Sequence, residues 1–567
     1  MRRFSMANPD LILLHPPSVF RFRDLPSFRG PISDVVPSSS IFEIYPIGFL
    51  TISEYLHRHG LTVRIVNVAL KMLKDRSFDA EAFIAKLNPL AFGIDLHWLP
   101  HVDGSLSLAK MIKHHHPHKP IIFGGLSSTY YYDEIMRDYP FVDFVLRGDS
   151  TEEPLRMLIH ALQSGAGYES IPNLVWRDRD GRIQVNEFSH CPESLDAVQF
   201  DYRHLLKMAI KYRDPSGYIP FRYWLTYPVS AVFQCRGCAG TCASCAGSFA
   251  SFKRVCAREK PCYRSPELLA EDMKKISEFS KGPIMVIGDL LQAGESYGNR
   301  FLDSLKRFHI KNEISVEFFI PPPDDFIKRI ADSVRTFNVE ISPESHDLKV
   351  RRAFGKHYDN PAFERMVQTL LESGCKRIDV FFLVGLPYQD SASVMDTVQY
   401  CEALMKNYDT TGRLLPMISP LAPFIDPGSS IFENPERFGY RLFYKTLREH
   451  REAMLMPSWK YMLNYETKWM TRDEIVKTTY DAALMLVDIR ERYKLLGKEK
   501  ALIIKRDIKR AQALIERIDH AVVIDDALKA EIMSLNDVDT LCDKHELDWP
   551  LKGWIENVLK IFRLLLQ

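Results

Sequence analysis

Four cysteines crowd into one short segment, Ala231 to Ser248, which reads AVFQCRGCAGTCASCAGS. Within it Cys238, Cys242 and Cys245 are spaced C-x-x-x-C-x-x-C on the loop that follows an apolar strand. Three thiolates on one short loop can ligate three irons of a [4Fe-4S] cluster and leave the fourth iron open to an exogenous ligand. The competing metal is zinc, held by Cys235, Cys238, Cys242 and Cys245 as two C-x-x-C pairs. Zinc ribbons place about a dozen or more residues between such pairs, and only three separate them here, which disfavours zinc. Cys235 is then a bystander or a close neighbour of the cluster. Cys256 and Cys262 are too few for a second cluster and read as structural.

Two stretches of alternating strands and helices must position this loop. In the first, Leu11 to Leu14, Thr62 to Asn67, Ala91 to Ile94, Pro120 to Phe123 and Val142 to Leu146 read as strands, with helices over Gly48 to His59 and Ser105 to His115. That alternation predicts a parallel, doubly wound α/β sheet whose ligand sites lie beyond the carboxyl ends of its strands. Those ends carry His15-Pro16-Pro17, Asp95 to His97, Gly124-Gly125 and Gly148. A connector from Ser164 to Tyr218 follows, with a hairpin around Asp180-Gly181. The second stretch, from Phe221 to about Leu404, has strand candidates at Ile284 to Ile287, Val316 to Ile320, Val339 to Ile341 and Ile378 to Val384. It suits a partial or full parallel barrel. Helices dominate the tail, where Thr471 and Glu474 form a capping box for a helix running towards Leu495. The expected division is 1–163, 164–218, 219–418 and 419–567.

The 567 residues are too many for one core, and 46% hydrophobic with 26% charged residues is the balance of a soluble globular protein. A net charge of +1 offers no global field for a polyanion, so no nucleic acid is expected. No apolar run approaches the ~20 residues of a membrane span, and Met1 to Asn8 lacks the apolar core of a signal peptide. A cytoplasmic location is expected, and the clustering of the cysteines suits a reducing compartment rather than a disulfide framework.

Taken in order, these features resemble the radical S-adenosylmethionine (SAM) superfamily and, within it, an uncharacterised subfamily of cobalamin-binding-domain radical SAM proteins. The resemblance spans about Pro9 to Leu404. It implies an N-terminal Rossmann-like cobalamin-binding domain, a central radical SAM partial (β/α) barrel and a helical C-terminal domain. The open iron of the cluster would chelate the amino and carboxylate groups of SAM. Gly288-Asp289 stands where the family has a Gly-Gly-Glu-like turn that meets the SAM amino group. Ser342 and Glu344, in VEISPES, match the fourth strand that faces ribose and carboxylate, with Arg352 beyond them. Gly385, in FFLVGLPYQ, matches the fifth-strand segment beside adenine. One departure is Ser244, where the family usually has an aromatic residue before the third cysteine.

For the first domain the resemblance rests on LILLHPP, IIFGGLSS and VDFVLRGDSTEEPL, and implies cobalamin near Gly124, Gly125 and Gly148. The D-x-H-x-x-G loop that supplies a cobalt ligand in methionine-synthase-type domains is replaced by His15-Pro16-Pro17-Ser18, so no histidine ligand is expected from that loop. His97 and His101, after the strand Ala91 to Ile94, are hydrogen-bonding wall residues or cobalt ligands. The run His114, His115, His116 and His118 invites a metal reading but better suits a helix C-terminus, where imidazoles complement the helix dipole. Tyr440, Tyr444, Trp459, Tyr461, Tyr465 and Trp469, with Asp426, His450, Asn464 and Glu466, form a substrate pocket or a core against the barrel.

The activity implied is methylation of an unreactive carbon of a small molecule, with flavodoxin or ferredoxin as electron donor. A cobalamin-dependent rearrangement or cyclisation is the alternative. A non-catalytic corrinoid or redox sensor would need an output module such as a helix-turn-helix, and none is visible.

Overall fold

Strands buried at every position are what a sheet covered by helices on both faces requires, and Leu11–His15 and Ala91–Asp95 are of this kind. The computed structural model describes residues 8–33, 39–225, 228–536, 538 and 541. The stretch read for a signal segment, apart from Asn8, and the tail beyond 541 lie outside the described residues.

The first sheet contains β1 (Leu11–His15), β2 (Val63–Asn67), β3 (Ala91–Asp95), β4 (Ile121–Gly124), β5 (Phe144–Leu146), β6 (Leu174–Arg177) and β7 (Ile183–Val185). Their order is β2-β1-β3-β4-β5-β6-β7, and the first five run parallel. Winding reverses between β1 and β3, so the crevice at this switch point is where a doubly wound sheet binds its ligand. The hairpin β6–β7 turns through Gly181 at φ 78° and joins β5 antiparallel, so it extends this sheet.

After β8 (Ser230–Phe233) a small antiparallel pair, β9 (Cys235–Arg236) and β10 (Cys262–Tyr263), brackets the cysteine loop. The second sheet continues through β11 (Ile284–Asp289), β12 (Ile314–Phe318), β13 (Phe337–Glu344), β14 (Arg377–Val384) and β15 (Leu414–Pro420). All six of its strands are parallel and lie in sequence order, and the end strands β8 and β15 do not pair among the described residues. The barrel is therefore partial. No strand is expected at β15 from the sequence; its prolines, Pro416 and Pro420, are tolerated because β15 is an edge strand of the sheet.

The tail is mainly helical, and the Thr471–Glu474 capping box opens the helix Arg472–Arg492 as expected. It also carries the antiparallel pair β16 (Tyr440–Leu442) and β17 (Tyr465–Thr467). Tyr440, Trp459 and Tyr465 are buried in the core. The tail grips the first domain through Trp459 N–H to Phe28 O (2.8 Å) and through Arg451 with Asp103 (3.0 Å). Among the described residues no helix is long and apolar enough to cross a membrane.

Candidate functional site

The cysteine loop is built to present sulfur. Backbone N–H groups of Gly240 and Gly247 donate to Sγ of Cys238 and Cys245, each at 3.2 Å, and Gln292 Nε2 donates to Cys238 at 3.4 Å. Such bonds favour the thiolate. Against them, burial pushes the Cys242 thiol up to about 11 and raises that of Cys238. A thiol this costly to ionise gives up its proton when a metal takes its place, which suits a ligand set. Gly355, at φ 115°, lets the chain pass against the loop, since a Cβ there would lie 2.6 Å from Thr241 O.

Beneath the loop lies a barrel cavity of about 870 Å³, walled by all three cysteines and by Glu317, Phe319, Glu340, Ser342, Glu344 and Lys356. Ser342 and Glu344 are thus brought to the cysteines. Glu344 has a φ of 69°, unusual for a non-glycine residue, and pairs with Lys356 at 3.2 Å; Lys356 also donates to Ser342 O at 2.7 Å. Sequence reasoning misses Lys356, whose partner is set by the return of the helix after β13.

It also misses Glu317 and Glu340. These lie opposite each other on β12 and β13, and Glu340 lies opposite Asp379 on β14, so three carboxylates line up across three strands. The signal is present in the parallel runs SVEFF, NVEIS and RIDVF, each with one acid amid apolar residues. Asp379 is forked by Arg377 at 2.9 to 3.0 Å. Burial, then the neighbouring Asp379 and Glu317, push the Glu340 carboxyl up to about 8.

Other sequence candidates are placed elsewhere. Asp289 is buried and accepts from Leu291 N and Phe319 N, both at 2.8 Å, so it braces the turn and lines neither cavity. Gly288, at φ 108°, donates its N–H to Glu317. Arg352 is exposed. Gly385, at φ 99°, packs against the ring of Tyr465, accepts from the Tyr440 hydroxyl at 2.6 Å, and lines neither cavity. Ser244 is buried.

A second cavity, about 1580 Å³ including its open mouth, lies between the two sheets. Its walls take His97, Gly124, Gly125 and Gly148 from the first sheet's carboxyl end. From the barrel side come Phe233, Cys235 to Cys238, Gly288, Glu317 and Phe319. Cys238, Glu317 and Phe319 wall both cavities. Two buried arginine bridges hold the sheets in this arrangement. Arg236 pairs with Glu152 at 2.5 and 2.8 Å, and Arg258 with Asp149 at 2.5 and 2.8 Å. The segment VLRGDSTEEPL thereby docks the first domain on the cysteine loop.

The histidines divide. His15 is buried, with its ring nitrogens on Asp95 (3.0 Å) and Phe42 O (3.1 Å). His101 bonds Phe42 O at 2.9 Å, and burial lowers its pKa to about 4. His114 and His115 sit in the last turn of the helix Val102–His115, near Glu81 on the surface.

Comparisons with known proteins agree with this architecture. Residues 34–156 match the B12 binding domain family. No curated protein matches the chain. Among solved structures, the radical S-adenosylmethionine methyltransferase TsrM from Kitasatospora setae, with cobalamin and a [4Fe-4S] cluster bound, is 14% identical. The match covers 77% of this chain and 80% of TsrM, with a TM-score of 0.55. The cobalamin-dependent S-adenosylmethionine radical enzyme OxsB, with aqua-cobalamin bound, is 12% identical, and the match covers 99% of this chain and 80% of OxsB at a TM-score of 0.55. The fold is that of cobalamin-dependent radical SAM enzymes: a B12-type sheet, a partial barrel and a helical C-terminal part.

Proposed function

We propose that this protein is a cobalamin-dependent radical SAM enzyme that methylates an unreactive carbon of a small molecule. The observation that carries the proposal is the shared wall: Cys238, Glu317 and Phe319 face both the cavity on the first sheet and the cavity inside the barrel. Two ligands seated in these spaces would meet at one place. The B12 match and the likeness to TsrM, a methyltransferase, support the choice of cofactors and reaction. When bound, the reduced cluster supplies the electron that splits SAM into methionine and a 5'-deoxyadenosyl radical, and methylcobalamin supplies the methyl group.

The chain's own residues prepare that chemistry. Cys238, Cys242 and Cys245 would hold three irons, and the N–H donors of Gly240 and Gly247 would stabilise the charge on Cys238 and Cys245. Glu317 and Glu344, opposed by Lys356, give the barrel cavity an acidic wall suited to the sulfonium and ammonium of SAM, and Glu340, which keeps its proton near neutral pH, adds a hydrogen-bonding carboxyl. Gly124, Gly125 and Gly148 let backbone approach a large flat ring, and the apolar walls around them exclude water. Flavodoxin or ferredoxin in the cytoplasm is the proposed electron donor.

Anaerobic protein incubated with SAM and a strong reductant should release methionine and 5'-deoxyadenosine, and should bind hydroxocobalamin. With SAM labelled in its methyl group, a product carrying the label is expected. Absence of both deoxyadenosine and bound cobalamin from protein with an intact cluster would overturn the proposal.

A further inference from the structure

Three imidazoles surround the switch point of the first sheet, and one of them faces the cavity. His15 and His101 are fully buried, are committed to Asp95 and Phe42, and do not line it. His97 lines it, and among the described residues its ring has no hydrogen-bond partner. Trp98 meets that ring edge-on at 5.1 Å and also lines the cavity.

The backbone of His97 is held firmly. Ser127 donates to His97 O through N–H at 3.2 Å and through Oγ at 3.0 Å, and Ser128 N donates to Leu96 O at 3.0 Å. Gly125, at φ 108°, closes on the same loop: a Cβ there would stand 2.5 Å from His97 Cα. The loop after β4 thus clamps the loop after β3, beside the place where β1 offers no free histidine. Of the carboxylates on that wall, Asp95 is paired with His15 at 3.0 Å, and Asp149 and Glu152 are paired with Arg258 and Arg236. Burial lowers the pKa of His97, which keeps a ring lone pair available.

Resting on the cobalamin assignment above, we propose that His97 supplies a ring nitrogen as ligand to the corrin cobalt. The histidine that other cobalamin domains place after their first strand is here supplied from the loop after the third.

The test is electron paramagnetic resonance of protein-bound cob(II)alamin. Coordination by one ¹⁴N nucleus should split the cobalt lines into triplets. Protein labelled with [¹⁵N]histidine should convert them to doublets, which separates His97 from the cofactor's own unlabelled base. The His97→Ala variant should keep the corrin and lose the splitting. Triplets that persist in the labelled protein, or lines with no nitrogen splitting in the wild type, would overturn the ligand assignment and leave the proposed function standing. Protein that retains no corrin would overturn both.

Discussion

The two cavities recognise by different means. The one on the first sheet is large and walled mainly by glycine backbone and apolar side chains; of its carboxylates, Asp149 and Glu152 are cancelled by arginines, Asp95 is held by His15, and Glu317 lies on the wall shared with the barrel. The one in the barrel is about half as large and carries the carboxyls of Glu317, Glu344 and the protonated Glu340 against Lys356. A broad, flat ligand is selected by shape and close backbone approach, whereas a small charged ligand is selected by side-chain charge. The difference also explains the arginine bridges. A cavity formed between two sheets exists only while they stay docked, but a cavity inside one barrel needs no such clamp.

The largest expected effect falls on the barrel side. Cys238→Ala, Cys242→Ala or Cys245→Ala should each abolish iron-sulfur absorbance and deoxyadenosine formation, because a three-thiolate site has no spare ligand. Cys235→Ala should spare both. Loss of the cluster in that variant, with retention in any of the other three, would reverse the comparison between the cavities, since Cys235 walls only the first.

Next comes the clamp. Arg258→Ala leaves Asp149 buried without its partner, which should cost about 3–5 kcal/mol in chemical denaturation. Replacing both residues by apolar ones should recover much of the loss. A negligible effect of the single variant would mean that the sheets stay together by apolar packing alone.

Smaller again is the effect of filling the first cavity. Gly124 faces open space, and a Cβ added there would have no neighbouring atom within 4 Å. Gly124→Leu should therefore fold normally, keep its iron-sulfur absorbance and bind hydroxocobalamin roughly tenfold or more weakly, as titrated by absorbance. Protein freed of cobalamin should still form deoxyadenosine, since every cysteine ligand and acidic wall residue of the barrel cavity remains. Dependence of that step on added cobalamin would show that the two spaces act as one.

A further effect is a slope with pH. Glu340 titrates near pH 8 when folded and near 4.5 when unfolded. Between those values the folded chain holds a proton that the unfolded chain has released, so stability falls as pH rises through this window. Glu340→Gln should flatten that fall, measured as denaturation midpoints at about pH 5 and about pH 8. Equal slopes would remove Glu340 from the buried acidic wall.

Features carried by residues contiguous in the chain are legible in the sequence. The cysteine spacing, the apolar runs of β1 to β5 and the glycines at their ends follow from local chemistry and from the period of burial. Glu317 and Glu340 are legible in principle, as one acid in each of two matching strands, but only strand register sets them side by side. Asp289 is visible at its turn, yet its carboxylate turns inward to brace backbone N–H groups. Gly385 is visible as a site of close approach, yet the ring beside it is Tyr465 from the tail.

By itself, then, the sequence determined the cysteine loop, two parallel α/β units and the helical tail, because each depends on neighbours a few residues apart. Only the tertiary structure decided which groups share a wall. It locked His15 on Asp95 and left His97 lining the cavity, matched Lys356 to Glu344, and joined both cavities at Cys238, Glu317 and Phe319. The physical reason is that a side chain's partner, burial and charge are set by packing between distant segments, which no local pattern of residues encodes.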